Sequence, residues 1–287
     1  MHRVLRELDR RYRLRARVED HILTRPNPFY SSPIATPLDE SRHRALLDEL
    51  VRNGAIILED IVPAEHIAGL RAAIEEVLGG QRPDIPFEVM AVGGSCVIRS
   101  NLRPYRPLAE IAADPRVTRL VEDYFHRHAV LADMDIRRDP PADMDELMRQ
   151  SPEERAGYTS NHWHRDHRGR QVKLLVYLTD VGPSDNNFAY LPTSHIGHHG
   201  RGTFQESRIP EDFVAGFGKT PVEAYAKAGT GLLFDTNIVH RLRRKATASA
   251  RDTVTFYYTP GQNLRQIAGI EVARQATDDA PVFMRSH

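Results

Sequence analysis

Three histidines and an aspartate stand within six residues at His162-Trp163-His164-Arg165-Asp166-His167. Imidazole nitrogens and carboxylate oxygens are donors that first-row transition metals take from proteins, so the string is read first as metal chemistry. If residues 160–166 form a strand, alternation puts Ser160, His162, His164 and Asp166 on one face and Asn161, Trp163 and Arg165 on the other. His164 and Asp166 then enter one cavity and supply two ligands of a 2-His-1-carboxylate facial triad, which leaves the opposite face of an octahedral iron(II) open. The third ligand must come from elsewhere in the chain. Used whole, the same string offers His162, His164, Asp166 and His167 to a two-zinc site.

Further donors follow downstream. "GTGLLFDTNIVHRL" places His240 just beyond an apolar run, and Arg251 heads the strand-like "RDTVTFYY". Between the two histidine sites, "NNFAYLPTSHIGHH" spans 186–199. In order and spacing these features resemble the phytanoyl-CoA dioxygenase family of iron(II)- and 2-oxoglutarate-dependent oxygenases. Its members carry H-x-D, a segment like F-x-Y-x-P-G-S-H, a distal His and an Arg shortly after it. The match includes Phe188, Tyr190, Pro192, Ser194 and His195, and the likeness runs from about 54 to 260.

The resemblance implies an α+β fold whose core is a double-stranded β-helix, a cupin-like jelly roll flanked by N-terminal helices. It implies His164, Asp166 and His240 as the iron ligands, 2-oxoglutarate and dioxygen as cosubstrates, and Arg251 on the distal carboxylate of 2-oxoglutarate. A guanidinium presents a planar fork to a carboxylate, and Thr253, two residues along the strand, faces the same way with a hydroxyl donor. In related halogenases a small residue replaces the carboxylate ligand, so Asp166 implies hydroxylation or a related oxidation such as desaturation, with release of succinate and CO2. The chain departs from the family pattern at Thr193 and Asn186, where glycine is usual, and at Arg241-Leu242 after the distal His.

Two other readings compete. A metallo-β-lactamase-like zinc hydrolase would use the whole H-x-H-x-D-H string from a loop that opens a helix, but here the string runs into the strand-like "RGRQVKLLVYL". A jelly-roll protein that binds without turnover would give Arg251 no special role. Further candidates are Lys173, which shares a strand face with Leu175 and Tyr177, and Arg99 and Asn101 on "CVIRSN", all suited to cosubstrate or substrate. His162 is read as a group behind the ligands or in contact with substrate. His167, His195, His198 and His199 are read as loop residues, and Trp163 as packing away from the metal.

The elements that must position these groups are legible in outline. The first third reads as helical: Leu5, Leu8 and Tyr12 suggest an amphipathic helix, and Pro63 opens another whose Ile67, Leu70, Ile74 and Val77 follow at helical spacing until Gly79-Gly80. "GAIILED" (54–60) reads as a strand, and 107–128 as two short helices broken at Pro115. From about 129 to 262 the signal turns to period two and short apolar runs, "AVLADMDI", "VKLLVYLTDV", "NFAYLP", "GTGLLFD" and "DTVTFYYTP". Strands without βα alternation argue for an antiparallel sandwich or jelly roll backed by helices. The polar stretches 137–161 and 195–224 are long for connections and suit lids.

At 287 residues and 40% apolar content, residues 1–287 are expected to form one oxygenase domain. Net charge is zero, which gives no reason to expect nucleic acid or a membrane as partner. The N-terminus shows no apolar run, so a cytoplasmic location is expected. Cys96 is the only cysteine, which rules out an intramolecular disulfide, and it reads as a small core residue. A small-molecule substrate of bacterial specialised metabolism is favoured. Arginines 103, 106, 137 and 138 leave an acyl-CoA open, and the oligomeric state is not readable.

Overall fold

A computed structural model describes residues 27, 29–78, 87–92, 95–100, 106–143, 161–166, 170–196 and 209–261. The helix expected around Leu5, Leu8 and Tyr12, the Gly79-Gly80 stop, and His167, His198 and His199 lie outside them.

Helix α1 (Glu40–Asn53) starts where the Asp39 carboxylate accepts the Arg42 N–H and ends at Gly54, whose φ of 82° places it in the left-handed region. It buries a narrow stripe, His43, Leu46 and Leu50. The general expectation of helix in the first third covers this element without bounding it. Helix α2 (Ala64–Leu78) falls where Pro63 and the apolar spacing place it. Helices α3 (Arg106–Ala112) and α4 (Pro115–Phe125) divide at Pro115, which takes the first helical position after the Asp114 cap. No helix among the described residues is long and apolar enough to cross a membrane.

Ten strands among the described residues form two antiparallel sheets. They are β1 (Ala55–Leu58), β2 (Phe87–Val92), β3 (Ser95–Ser100), β4 (Ala129–Asp139), β5 (Val172–Tyr177), β6 (Asn187–Leu191), β7 (Val222–Ala224), β8 (Gly231–Asp235), β9 (Val239–Arg243) and β10 (Arg251–Pro260). The large sheet runs β1-β8-β5-β10-β4-β3-β2 and the small one β7-β6-β9. This is the expected jelly roll with helices on one side.

The period-two pattern fixes which face each residue serves. On β5, Val172, Leu174 and Val176 join Val254, Phe256, Met134 and Ile136 in the core under α1 to α4. Leu175 and Tyr177 face the other way, and with Leu232 and Phe234 they meet Phe188 and Ala224 of the small sheet. The polar inner-face residues of β4, β5 and β10 lie on this second side, between the sheets.

Two expectations are corrected. Residues 161–166 are not a strand: His164 makes one isolated bridge to His240, and the rest is irregular. A ladder fails because successive residues bond to different loops, Trp163 O to Ile209 N, His164 to His240, and Asp166 N to Thr236 O. Part of the stretch 195–224 is regular, comprising helix α5 (Glu211–Gly216) and the edge strand β7.

Candidate metal centre

His240 sits on β9, and His164 on the segment that bridges to it, with His164 N–H donating to His240 O at 2.9 Å and His240 N–H returning to His164 O at 3.0 Å. This reciprocal pair brings the two imidazoles to 4.3 Å between ring centroids. Each Nδ1 donates to a backbone carbonyl 2.8 Å away, His164 to His162 O and His240 to Ile238 O. A carbonyl only accepts, so in the neutral rings the proton sits on Nδ1 and the lone pair on Nε2. Phe188 stacks on His240 at 5.1 Å and Phe234 meets it edge-on at 5.3 Å, which fixes the ring plane.

Both Nε2 atoms face Asp166, at 3.1 Å from Oδ1 for His164 and 3.2 Å from Oδ2 for His240. One donor atom from each residue falls within 4.8 Å of the other two. Lone pairs aimed at carboxylate oxygens repel unless a proton or a cation lies between them, and one metal ion would satisfy all three groups. The donor set therefore fits a metal of the iron(II) class. Burial opposes the charged carboxylate, yet the Lys173 ammonium and the His240 ring hold Asp166 well below the usual carboxylate range. Burial likewise lowers His240 below the ordinary imidazole value, against the pull of Asp166.

Arg165 locks the geometry from behind. Its Nε donates to Asn237 O at 2.9 Å and its Nη2 to Ser194 O at 3.2 Å, tying the ligand segment to the turn before β9 and to the turn after β6. Asp235 builds that first turn by accepting the Asn237 backbone and side-chain N–H groups. Trp163 is buried away from the metal site, as expected; its Nε1 donates to Glu211, and Arg241 stacks on its ring at 4.3 Å.

Arg251 and Thr253 point inward from β10. The Arg251 Nε and Nη2 donate to Asp139 Oδ2 at 3.1 and 2.6 Å. Its Nη1 has no hydrogen-bond partner, and neither have the Thr253 hydroxyl and the Tyr177 phenol, all three buried. Thr253 and Tyr177 are directly paired across β10 and β5. Burial pushes the Tyr177 phenol up to about 12, so it stays a donor. Buried donors are seldom left unpaired, and three converging ones fit a carboxylate. The residues present therefore fit both an iron ion and the distal end of 2-oxoglutarate.

Other candidates are placed differently. Lys173 reaches the metal site itself, its Nζ 2.6 Å from Asp166 Oδ2 and 4.4 Å from the Tyr257 ring centroid. Arg99 lies across from Asp135 in the β3–β4 register, with its side chain outside the description, and Asn101 lies outside altogether. His195 is a buried anchor and not a simple loop residue: its ring packs on Gly54 and its Nε2 lies 3.1 Å from Val51 O. Two of the departures from the family pattern have local reasons. Thr193 has a φ of 68°, a conformation glycine adopts without strain. Asn186 donates to Asp139 O and Pro140 O and accepts from Lys245 N, joining strand ends where a glycine could not.

Sequence reasoning missed Arg165, Asp139, Tyr177 and Tyr257. Arg165 could have been found as a charged residue on the supposed core face. For the others only the strand register carries a signal.

The family model of phytanoyl-CoA dioxygenase (PhyH) matches residues 50–253. Solved structures are similar over most of the chain. SnoK, a non-heme alpha ketoglutarate dependent carbocyclase from nogalamycin biosynthesis, has a TM-score of 0.57 and 14% identity, covering 88% of this chain and 98% of its own. EctD from S. alaskensis, with bound Fe, has a TM-score of 0.57 and 18% identity over 82% of each chain. HygX from Streptomyces hygroscopicus, with nickel, 2-oxoglutarate and hygromycin B, has a TM-score of 0.51 and 20% identity, covering 76% of this chain and 87% of its own. At these identities the likeness shows the fold. No curated sequence matches the chain. The family match covers most of the chain and spans the His164, Asp166 and His240 donors, so the protein belongs to the phytanoyl-CoA dioxygenase family and is an enzyme of the 2-oxoglutarate-dependent oxygenase type, with iron and 2-oxoglutarate as metal and cosubstrate.

Proposed function

We propose that the chain is a single oxygenase domain that hydroxylates or otherwise oxidises a small molecule of bacterial specialised metabolism in the cytoplasm. His164, Asp166 and His240 hold iron(II), and Arg251, Thr253 and Tyr177 hold the distal carboxylate of 2-oxoglutarate. The observation that carries this reading is the pair of Nδ1–carbonyl bonds, which leave two Nε2 lone pairs beside one carboxylate.

When bound, iron(II) would let dioxygen act as the oxidant, with two of its four electrons coming from 2-oxoglutarate as that is converted to succinate and CO2 and two from the substrate. The chain supplies orientation. Lys173 pins one oxygen of Asp166 and leaves the other to the metal. Phe188 and Phe234 shield His240 from water, and Asp139 aims Arg251. Asp166 fills the third protein position, which supports oxidation over halide transfer. Relatives crystallised with hygromycin B and named for nogalamycin biosynthesis support a small-molecule substrate. The zinc-hydrolase alternative loses its ground, because the next described element after its string is strand β5 and the sheets are antiparallel without βα alternation.

The test is anaerobic titration of the purified apoprotein with iron(II) and then 2-oxoglutarate, following the visible charge-transfer band of the chelated cosubstrate. The band is expected in wild type, with 2-oxoglutarate affinity at least about 30-fold weaker in Arg251→Leu, the cost of losing one partner of a buried charge pair. Two tightly bound zinc equivalents and no band would restore the hydrolase. One metal and no band would leave a binding protein.

A further inference from the structure

The inner face of the large sheet carries one cation that the foregoing roles do not use. On β4, Asp135, Arg137 and Asp139 turn inward. Asp139 pairs with Arg251, Arg137 with Thr253 and Asp135 with Thr255 in the β4–β10 register, and Thr253 pairs onward with Tyr177. Arg137 therefore stands one row from the Arg251 cradle, on the side toward Tyr257 and Lys173. Its neighbour Arg138 faces the other way and is committed to Asp252 and Glu75 at 2.8 and 2.6 Å.

Arg137 is half-buried, and among the described residues it makes no hydrogen bond and no direct ion pair. Burial opposes its charge, but the fields of Asp135, Asp139, Tyr257 and Asp166 outweigh burial and keep it cationic. Each of those carboxylates has a closer partner. Asp166 holds Lys173 at 2.6 Å, Asp139 holds Arg251 at 2.6 Å with Arg244 at 3.8 Å, and Asp135 accepts the Tyr257 hydroxyl. Among the described residues, Arg137, Lys173, Arg244 and Arg251 share this region with Asp135, Asp139 and Asp166, and Arg137 is the cation with no direct carboxylate partner. The half-buried guanidinium has its planar fork free for a ligand, and a carboxylate matches that fork.

We propose that Arg137 receives an acid group of the primary substrate, so that the substrate is a small molecule carrying one carboxylate or a comparable monoanion held beside the metal. The proposal rests on the oxygenase reading above and names the substrate class for that site. The other source of a carboxylate, 2-oxoglutarate itself, is served by Arg251, Thr253 and Tyr177.

The test uses the full chain loaded with zinc and 2-oxoglutarate, and two probes of one shape, phenylacetate and phenylacetamide, titrated by ligand-observed NMR. Wild type is expected to bind phenylacetate at least about fivefold tighter than the amide, as a charge-assisted pair requires. Arg137→Gln should erase that preference, and Arg137→Lys, which keeps the charge, should retain part of it. The affinity for 2-oxoglutarate, read from the iron(II) charge-transfer band, should change less than about twofold in either variant. No preference in wild type overturns the proposal even if Arg137→Gln fails to fold. So does a preference that survives Arg137→Gln, or a tenfold loss of 2-oxoglutarate affinity in that variant, which would give Arg137 to the cosubstrate. Absence of the band in wild type would instead overturn the oxygenase reading, a separate outcome.

Discussion

At the scale of single residues, the site depends on groups that hold other groups. Asp139 touches neither the metal donors nor the three free cradle atoms, yet it fixes the Arg251 guanidinium and lies next to Arg244. Asp139→Asn should weaken 2-oxoglutarate binding about tenfold, about 1.4 kcal/mol, because Arg251 loses its aim. Metal affinity should stay unchanged, since no donor contacts Asp139. Isothermal titration with zinc and then 2-oxoglutarate separates the two, and an equal loss in both would mean general collapse of the sheet face. The variant should also lose roughly 3 kcal/mol of stability, because two arginines are left buried beside an uncharged amide. His164, Asp166, His240 and Arg251 were singled out through the family resemblance, and the fold brings the first three together and sets Arg251 inward. Asp139 was not, since an ordinary acid before a Pro-Pro pair acquires meaning only when the register sets it opposite Arg251, and Arg137 was read only as one of four arginines open to an acyl-CoA.

At the scale of elements, helix α4 ties the segment before α1 to the body through two adjacent carboxylates, Asp123, which accepts the Ser32 N–H at 2.8 Å, and Glu122. Glu122, buried, accepts the Tyr30 hydroxyl at 2.6 Å, the Ser32 hydroxyl at 2.5 Å and His128 Nδ1 at 2.5 Å. Burial raises its proton affinity, but these bonds outweigh burial and keep Glu122 below the ordinary carboxylate value. A depressed carboxylate contributes stability above its unfolded value, near 4.5, and that contribution is lost as pH falls through the folded value. Wild type should therefore exceed Glu122→Gln by about 1–3 kcal/mol at pH 7, with the gap narrowing at acid pH below 4.5, as measured by urea unfolding. A gap equal at both pH values would mean that packing, and not charge, fixes the segment. Strands β5, β8 and β10 were legible because each alternates or runs apolar between turn formers. The short strands β7 and β9 were not, because three to five residues do not establish a period, and their pairing comes from β6.

At the scale of the whole molecule, the metal donors join the two sheets: His240 belongs to the small sheet, while Asp166 is held by Lys173 of the large one. A ligand bound at this joint should stabilise the entire fold. Zinc at 100 times its Kd should add about 2.7 kcal/mol, which raises the melting temperature by roughly 5–10 °C in a chain of this size. Asp166→Ala should abolish the shift in a calorimetric scan, and 2-oxoglutarate should add to it only when metal is present. A shift that survives Asp166→Ala would place the ion elsewhere.

The backbone pair between His164 and His240 has one more consequence. Main-chain hydrogen bonds and Arg165 hold the segment that carries His164 and Asp166 against the turn before β9. A donor set of two imidazoles and a carboxylate selects weakly among divalent ions, and its occupancy follows the general order of affinity, in which iron(II) ranks below nickel and copper. Iron in the working enzyme is then a matter of supply: the cell must keep the stronger competitors scarce, and protein made where nickel or copper is plentiful should be correctly folded, fully occupied and inactive.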